Sequence, residues 1–422
     1  MSNKHSYIER FIQFGEGGFL RGFADWMIQK LNDKTSFSGS VVVIQPRKNG
    51  KCHMLTVQDC RYTHMIRGKE GIEKQVIDVI SRCIDPYADF KAYMDLASVP
   101  SFRYIISNTT EAGIVFRNDE KAFEAPPASF PGKLTLLLKR RFDLGLPGFI
   151  FLPCELIDRN GDTLKKCILQ YAELWQLGND FVRWIETENE FCCTLVDRIN
   201  TGFPHGDKIE TDFPDKMLNT YEHYHLWVIE TKLDLQAELP FREAGLNVIV
   251  TKDGLEKYHT RKVRIINGAH TALVPYGLLE GFETVRDCVE DDSMHNFIHS
   301  CIFDEIIPTL DLPEEELKEF ANSVLVRFAN PYIRHELSSI ALNSVSKFKV
   351  RVLPTILAYK KKFGKYPKNL MFSFQKLLEF YKTDMTNDDP KIIAYMKEHT
   401  TKEILSNKEL WDMDLSELYK EF

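Results

Sequence analysis

A lysine, an asparagine and a histidine follow one another at short spacing in the segment KVRIINGAH, residues 262–270. Lys262, Asn267 and His270 fit the pattern K-x4-N-x2-H. In a regular α-helix, steps of about 100° place Asn267 about 140° and His270 about 80° from Lys262. All three side chains then lie on one side of the helix, where a single substrate oxygen can meet them.

This set of side chains suits hydride transfer between a carbinol carbon and a nicotinamide. The reaction requires a base for the alcohol proton and hydrogen-bond donors for the developing alkoxide. A lysine acts as such a base where desolvation lowers its pKa, and asparagine and histidine donate without a metal. Surface or helix-capping residues are the alternative interpretation of this spacing. Gly268 costs about 1 kcal/mol relative to alanine inside a helix, which indicates that another segment packs closely there.

A glycine-rich turn, GEGGFLRGF, follows strand-forming residues near the N-terminus. Gly15, Gly17 and Gly18 let the backbone turn sharply, and with Phe19 they open a helix and are expected to contact the cofactor. The free N–H groups and the dipole at the start of such a helix suit a pyrophosphate. Leu20 replaces the third glycine of the pattern G-x-G-x-x-G, so a plain glycine-rich turn is the alternative. The position between a strand and a helix favours a dinucleotide-binding turn.

Residues at the ends of the next predicted strands bear on the cofactor. Gln45 stands where a carboxylate commonly contacts the adenosine ribose, and it permits NAD. Arg47 and Lys48 suit the 2′-phosphate of NADP, so both cofactors stay open. Further along, the segment SNTTEAG supplies polar residues at a strand end, and a helix N-cap by Thr109 or Thr110 is their alternative role. We expect three of them to contact the ribose and the nicotinamide: Asn108, Thr109 and Glu111.

The elements that position these residues alternate short β-branched runs with amphipathic stretches, which predicts βαβ units and a mainly parallel sheet. The expected strands are 10–14, 40–46, 103–109 and 148–156, with strand excursions at 53–67, and the expected helices are 19–31, 85–97 and about 162–175. From about residue 257 onward, apolar residues recur at helical spacing. The predicted fold class is α/β, with a Rossmann-like nicotinamide-binding domain at 1–250 and a mainly α-helical substrate-binding and catalytic domain at 251–422.

The composition restricts the class of partner. A content of 44% hydrophobic and 27% charged residues is typical of a folded protein. The net charge of −7, from 54 Lys and Arg against 61 Asp and Glu, disfavours nucleic acid and anionic membranes as partners. The start of the sequence lacks the apolar core of a signal peptide, so we expect a cytoplasmic protein. The nine cysteines are scattered without a C-x-x-C pair, which predicts reduced thiols and no metal site.

Motifs along nearly the whole chain resemble the long-chain polyol-specific dehydrogenases, the mannitol dehydrogenase family. They are GEGGFLRGF, SNTTEAG, PCELIDRNG, LVDRI, KVRIINGAHTALVPYGLL and RFANPYIRHELSSIALNSVSKFKVRVLP, in the order of the family. The resemblance implies a Rossmann-like domain, a helical domain and metal-independent oxidoreduction of CH–OH groups, with NADH as the usual electron donor. It also implies that Lys262 is the acid and base, with Asn267 and His270 around the reacting oxygen.

Two departures from the mannitol-type pattern favour a hexuronate substrate. Where those enzymes have C-D-N or C-E-N, this chain has Cys154, Glu155 and Leu156, so their second oxyanion asparagine is absent. An arginine of those enzymes falls at Ser339 here, whereas a lysine is kept as Lys347. Several of the motifs are closest to hexuronate-specific members of the family.

A hexuronate carries a carboxylate, which requires a cation or several N–H donors when it is desolvated. Lys347 is the first candidate and Arg351 the second. The alternative role of these cations is ordinary surface ion pairing. Asp197 and Arg198 could bind hydroxyls of the substrate, and their alternative role is that of a structural pair. The remaining candidates for substrate binding are polar side chains elsewhere in the motifs: Arg327, Arg334, Asn343, Glu155, Asp197 and Arg198.

Overall fold

The chain folds as two units, Met1–Leu255 and Glu256–Phe422. The computed structural model describes residues 7–122, 126–204 and 209–422. The strands found among these residues lie in the first unit, and the second unit is helical. In the described part of the chain, no helix combines the length and the apolar character that crossing a bilayer requires.

The main sheet of the first unit has the strand order of a Rossmann fold. Its order is β5-β2-β1-β6-β7-β8, and each neighbouring pair is parallel. The direction of strand addition changes between β1 and β6, which is where ligands bind in such sheets. The strands are, in chain order, β1 (Glu9–Phe14), β2 (Ser40–Ile44), β3 (Tyr62–Gly68), β4 (Gly71–Ile77), β5 (Ile80–Ile84), β6 (Tyr104–Ser107), β7 (Ile150–Pro153), β8 (Glu190–Phe191), β9 (Cys193–Asp197), β10 (Asn200–Gly202), β11 (Asn219–Tyr221), β12 (Leu226–Glu230) and β13 (Val248–Thr251).

Two smaller sheets accompany the main sheet. One has the order β10-β11-β3-β4, and the other has the order β13-β12-β9. The strands β3 and β4 form an antiparallel hairpin, and β11 adds to β3 in parallel. The helices of this unit are α1 (Gly18–Gly22), α2 (Ala24–Lys34), α3 (Cys52–Val57), α4 (Phe90–Asp95), α5 (Phe130–Asp143), α6 (Asn160–Leu174), α7 (Asn179–Thr187) and α8 (Leu235–Glu238), with a 3-10 turn at Leu96–Ser98.

Apolar residues cover both faces of the main sheet because successive side chains of a strand point to opposite sides. Phe11 and Val41 belong to the core that also contains Phe23 of the segment joining α1 and α2. Their neighbours in sequence, Ile12 and Val42, belong to the core on the other face. Full burial of each such side chain contributes about 1.5–3 kcal/mol. The unbroken apolar run of β2 therefore reflects a strand that is buried on both faces.

The second unit is built around a helix that is buried on nearly all sides. Residues 268–275 of α10 are all buried, as expected for a helix that is apolar all round. A π-helical turn, Val263–Asn267, connects α9 to α10. The helices are α9 (Leu255–Lys262), α10 (Gly268–Leu279), α11 (Val285–Glu290), α12 (Asp292–Ser300), α13 (Glu314–Phe328), α14 (Leu337–Ile340), α15 (Ser344–Arg351), α16 (Leu353–Phe363), α17 (Lys368–Phe380), α18 (Pro390–Glu398), α19 (Thr401–Ser406) and α20 (Lys408–Trp411), with a second π-helical turn at Cys301–Ile306 and 3-10 turns at Ile307–Thr309 and Ser416–Glu421.

The predicted fold class is confirmed, and so are the four strands expected in the main sheet, which are β1, β2, β6 and β7. The helix expected at 19–31 is interrupted at Phe23, whose φ of −121° and ψ of −78° are not helical. It therefore forms two helices, α1 and α2.

Two other predicted elements require correction. The helix expected at 85–97 begins only at Phe90, because the Asp89 side chain accepts a hydrogen bond from Ala92 N and caps the helix there. Strand structure was wrong for the first half of 53–67, where α3 lies instead. Cys52 and Leu55 are buried three residues apart, which is helical spacing rather than alternation.

Candidate active site

The glycine-rich turn lies at the carboxyl end of β1, beside the end of β6. Gly15 has a φ of +125°, which favours glycine, and a Cβ there would lie 3.1 Å from the carbonyl oxygen of Asn108. Asn108 N in turn donates to Phe14 O at 3.1 Å. A Cβ at Gly17 would meet no described atom within 4 Å, so the backbone at Gly17 faces open space. The geometry fits the close approach of a ligand to the turn.

The small sheet of β10 and β11 packs against the same turn. A Cβ at Gly18 would lie 2.1 Å from Asn219 Nδ2 and 2.5 Å from Asn200 Nδ2, so glycine is required there. Tyr221 Oη donates to Gly18 O at 2.7 Å. The ring of Phe19, also predicted to contact the cofactor, stacks on Phe23 with centroids 4.9 Å apart. The two asparagines were not found from the sequence, because no spacing links residues so distant along the chain.

Glu155 joins the ends of β6 and β7. Its carboxylate accepts hydrogen bonds from Ser107 Oγ at 3.0 Å, from Thr109 N at 2.9 Å and from Thr109 Oγ1 at 3.0 Å. Asn108 Nδ2 donates to the carbonyl of Cys154 at 3.0 Å. Burial raises the pKa of the Glu155 carboxyl, and these hydrogen bonds oppose that effect. The structure therefore brings Asn108, Thr109 and Glu155 together, and the donors to the Glu155 carboxylate lie at the end of β6 and in the loop after it.

The alternative role of Thr109 and Thr110 as helix caps is wrong. The residues after them, 111–122, form turns and irregular structure rather than a helix. Thr110 itself has a φ of +74°, and Glu111 is exposed on the turn that follows. The contact of Glu111 with a cofactor stays a prediction.

Gln45 at the end of β2 is buried and holds the loop that follows. Its Oε1 accepts from Cys52 N at 3.3 Å, and its Nε2 donates to Lys48 O at 3.3 Å. Arg47 and Lys48 are exposed. For Gln45 to contact a ribose, as predicted, its side chain must give up one of these two long hydrogen bonds and form one with the ribose instead.

The segment 262–270 is not one regular α-helix, so the angles expected for Lys262 and Asn267 were wrong. The turn Val263–Asn267 is π-helical, and hydrogen bonds in such a turn join residues five apart. Lys262 and Asn267 have this spacing, and the wider turn places Asn267 closer to the direction of Lys262 than the about 140° of an α-helix. Single π-helical turns occur frequently at functional sites.

Gly268 lets another helix approach this turn. A Cβ at Gly268 would lie 3.3 Å from the carbonyl oxygen of Arg351, at the end of α15. Arg264 Nη1 donates to the carbonyls of Val350 and Arg351, both at 3.2 Å. The close packing predicted from Gly268 is confirmed, and it anchors the C-terminal end of α15 beside the predicted catalytic residues.

His270 is buried, and its Nε2 has no hydrogen-bond partner among the described residues. Its ring stacks on Phe328 with centroids 4.2 Å apart and an interplanar angle of 18°. Burial lowers the pKa of His270 well below its ordinary value, and the charges of His335, Arg327 and Arg351 add to the effect. The imidazole is therefore neutral near neutral pH and carries one donor and one acceptor nitrogen.

The two leading candidates for carboxylate binding lie one turn apart on α15. Lys347 Nζ donates to Ile340 O at 2.8 Å, and Arg351 Nη1 donates to Thr271 Oγ1 at 3.4 Å. Burial lowers the pKa of both groups, as expected for cations that have left bulk water. Arg351 thus reaches α10 at the residue next to His270.

The other substrate-binding candidates have diverse environments. Asn343 is exposed with a φ of +57° in the turn before α15. Arg334 is exposed and pairs with Glu336 and Glu283, so surface ion pairing describes it. Arg327 is buried near His270.

Arg198 is a structural cation of the first unit. It donates to Gly22 O at 2.5 Å and twice to Glu222 O, at 3.2 and 3.1 Å. Its guanidinium lies 4.2 Å from the ring centroid of Trp26. Burial lowers the pKa of Arg198 to about 10. These carbonyl groups hold the Arg198 guanidinium within the first unit.

The described residues also include the cysteines and the possible metal ligands. There, no three His, Cys, Asp or Glu side chains converge as a metal site requires. All nine cysteines lie within the described ranges and are free thiols.

Comparison with known proteins identifies relatives of both units. Residues 9–241 match the family model of the mannitol dehydrogenase Rossmann domain, and residues 254–420 match that of the mannitol dehydrogenase C-terminal domain. The chain is 46% identical to an altronate oxidoreductase of Bacillus subtilis, with 98% of this chain and 90% of the relative covered. It is 41% identical to an altronate oxidoreductase of Klebsiella pneumoniae, with 98% and 92% covered.

Solved structures show the same fold at lower identity. A D-sorbitol dehydrogenase in substrate-free form matches with a TM-score of 0.82 at 21% identity, covering 98% of this chain and 91% of that one. A Pseudomonas fluorescens mannitol 2-dehydrogenase in a ternary complex with NAD and D-mannitol matches with a TM-score of 0.67 at 20% identity, covering 97% and 86%.

Proposed function

Because this chain belongs to the mannitol dehydrogenase family, as its motifs predicted, we propose that it catalyses the reaction of an altronate oxidoreductase, also called tagaturonate reductase. The reaction is the reversible reduction of the keto group of D-tagaturonate to D-altronate with a nicotinamide dinucleotide. The observation that carries the proposal is the similarity to altronate oxidoreductases over nearly the full chain. The chain is accordingly an oxidoreductase that acts on CH–OH groups.

The first unit fits a nicotinamide dinucleotide. The turn at Gly15, Gly17 and Gly18 would hold the pyrophosphate, because it lies at the switch point of the sheet and its backbone at Gly17 faces open space. Asn108 and Thr109 lie beside that turn and would hold the ribose and the nicotinamide. We propose NAD(H) as the cofactor, in line with the mannitol 2-dehydrogenase of the same fold that was solved with NAD. NADP(H) is the alternative.

The acid–base chemistry is assigned to the second unit. When bound, the nicotinamide supplies the hydride for the keto carbon. Lys262 donates a proton to the oxygen as it becomes a hydroxyl and takes that proton back in the reverse direction. Asn267 donates a hydrogen bond to the same oxygen from its amide, and neutral His270 donates from its unpaired Nε2. Loss of one such donor typically lowers kcat by about 10²–10³.

Two cations of α15 support a hexuronate as the substrate class. A hexuronate brings a carboxylate that requires N–H donors once it leaves water. Arg351 and Lys347 present such donors on one face of α15, and both are drawn partly out of solvent. Fructuronate reductase is the alternative function, because the same cations serve either hexuronate. Mannitol-1-phosphate 5-dehydrogenase is a weaker alternative, because Leu156 stands in place of its asparagine.

A substrate panel tests the proposal. The purified protein is assayed with tagaturonate, fructuronate and fructose, each with NADH and with NADPH in parallel. We expect kcat/KM for tagaturonate with NADH to exceed that for fructuronate by at least about tenfold, the factor that about 1.4 kcal/mol provides. Oxidation of NADH that is no faster with tagaturonate than with fructuronate or fructose would rule out this function.

A further inference from the structure

His335 lies beside His270 in the second unit, and the reaction described above assigns it no part. The two imidazole rings meet edge to face, with centroids 5.5 Å apart and an interplanar angle of 81°. The His270 ring also stacks on the ring of Phe328. His335 is half-buried, so it is neither a core residue nor an ordinary surface histidine.

The backbone around His335 is fixed by a short antiparallel pairing. Val285 N donates to His335 O at 3.0 Å, and Leu337 N donates to Glu283 O at 2.9 Å. An isolated bridge joins Thr284 to Glu336 between these bonds. Successive side chains of an extended segment alternate in direction, so exposed Glu336 and half-buried His335 point to different sides. The direction of the His335 ring is thus set by the backbone.

Each of the two imidazoles carries two nitrogens that can form hydrogen bonds. Within residues 7–122, 126–204 and 209–422, His270 Nε2 is buried without a partner. The His335 ring contacts the His270 ring, and the backbone carbonyl of His335 accepts a hydrogen bond from Val285 N. A buried polar atom left unpaired costs about 1–3 kcal/mol. A bound molecule with several oxygen atoms would satisfy both rings.

The charges around the two rings select an anionic or oxygen-rich molecule. Burial lowers the pKa of each imidazole, and nearby positive charges lower it further. The positive charge of Arg327 lowers the pKa of both histidines, and that of Arg351 lowers the pKa of His270. The rings are therefore neutral donors and acceptors within a positive field, which suits the hydroxyls and the carboxylate of a sugar acid.

We propose that His335 is a substrate-binding residue that determines specificity, hydrogen-bonding an oxygen of the hexuronate beside the oxygen held by His270. The assignment rests on the proposed function. A purely packing role would be served equally well by an aromatic ring without nitrogens. A hydrogen-bonding role requires a nitrogen at the edge of the ring. Substitutions that keep or remove this nitrogen therefore distinguish the two roles.

The test compares His335→Phe, which keeps a flat ring, with His335→Gln, whose amide replaces a ring nitrogen. His399→Phe is the matched control, because His399 is also half-buried in this unit and stacks on Tyr395 with centroids 4.0 Å apart. For each variant, kcat and KM are measured with tagaturonate and fructuronate, and the Kd of NADH is measured by fluorescence.

We expect His335→Phe to raise KM for tagaturonate at least about tenfold and to reduce the preference over fructuronate. Its kcat should change less than about threefold, and the Kd of NADH should not change. His335→Gln should retain KM within about threefold of the wild type, and His399→Phe should match the wild type.

The outcomes separate the two proposals. If the wild-type protein does not reduce tagaturonate, the proposed function is wrong, and the assignment of His335 is wrong with it. Active wild-type protein with unchanged KM and selectivity in His335→Phe overturns the assignment of His335 alone, as does an equal change in His399→Phe. If thermal unfolding shows that His335→Phe does not fold, His335→Gln and the shorter His335→Asn decide: the assignment requires a higher KM in the Asn variant than in the Gln variant.

Discussion

Replacement of Glu155 distinguishes a residue that holds the cofactor loop from one that binds substrate. In Glu155→Ala, Ser107 and the two donors of Thr109 lose their acceptor. A hydrogen bond to a charged group contributes about 1.5–3 kcal/mol, but the hydroxyls regain part of this from water. We therefore expect the ordered conformation of the loop to lose about 2 kcal/mol of stabilisation. This loss raises the Kd of NADH about 30-fold.

Glu155→Gln is the matched variant, because it keeps the length of the side chain. Its Oε1 still accepts from both donors of Thr109, and its amide faces Ser107 Oγ, which can turn and accept. The substitution also removes a carboxyl whose pKa is raised by burial. We expect the Kd of NADH to stay within about fivefold of the wild type.

The assay is a fluorescence titration of each variant with NADH, followed by KM for tagaturonate at saturating NADH. If Glu155 orders the loop, the main effect of Glu155→Ala is a higher Kd of NADH. Any change in KM for tagaturonate is then a consequence of that weaker cofactor binding. An unchanged Kd in Glu155→Ala together with a raised KM would refute this reasoning. It would mean that Glu155 faces the substrate, as the sequence analysis expected.

Three further outcomes follow from the geometry. Gly268→Ala should lower the melting temperature and raise KM for tagaturonate, because its Cβ would lie 3.3 Å from Arg351 O; the stabilisation of about 1 kcal/mol usual for Gly→Ala in a helix would contradict the close packing. Burial raises the pKa of Asp25 to about 7, so the folded protein holds a proton that the unfolded chain releases near pH 4, and stability falls as the pH rises from about 4 to about 7. In urea unfolding, Asp25→Asn should remove about 2–3 kcal/mol of this loss between pH 5 and pH 8, whereas equal pH slopes in the two proteins would exclude Asp25 as its source. Incubation with EDTA should leave the initial rate unchanged, and a loss restored by a divalent cation would contradict metal-independent catalysis.

The sequence predicted the main sheet well, because its strands are apolar runs whose burial leaves little choice of structure. The unbroken run of β2 and the polar residues after β6 indicated both the sheet and the edge where ligands bind. The break at Phe23 was not predictable, because the pattern of apolar residues continues through it. Local backbone geometry there depends on packing against strands distant in sequence.

The site was predictable in its residue types but not in its local geometry. The spacing of Lys262 and Asn267 was interpreted with α-helical angles, whereas the chain forms a π-helical turn between them. Gly268 gave a correct signal of close packing, yet the partner, Arg351 O, lies far along the chain. His335 gave no signal of its own, although it lies within a motif that the sequence analysis had identified, because a contact with His270 depends on tertiary structure.

The rate of tagaturonate reduction by Lys262→Ala, measured with the Kd of NADH on the same preparation, tests most directly whether the segment 262–270 carries the proton transfer. General acid–base catalysis predicts that kcat falls at least about 100-fold while the Kd of NADH is unchanged. Turnover equal to that of the wild type would remove Lys262 from the mechanism and contradict the assignment of this segment.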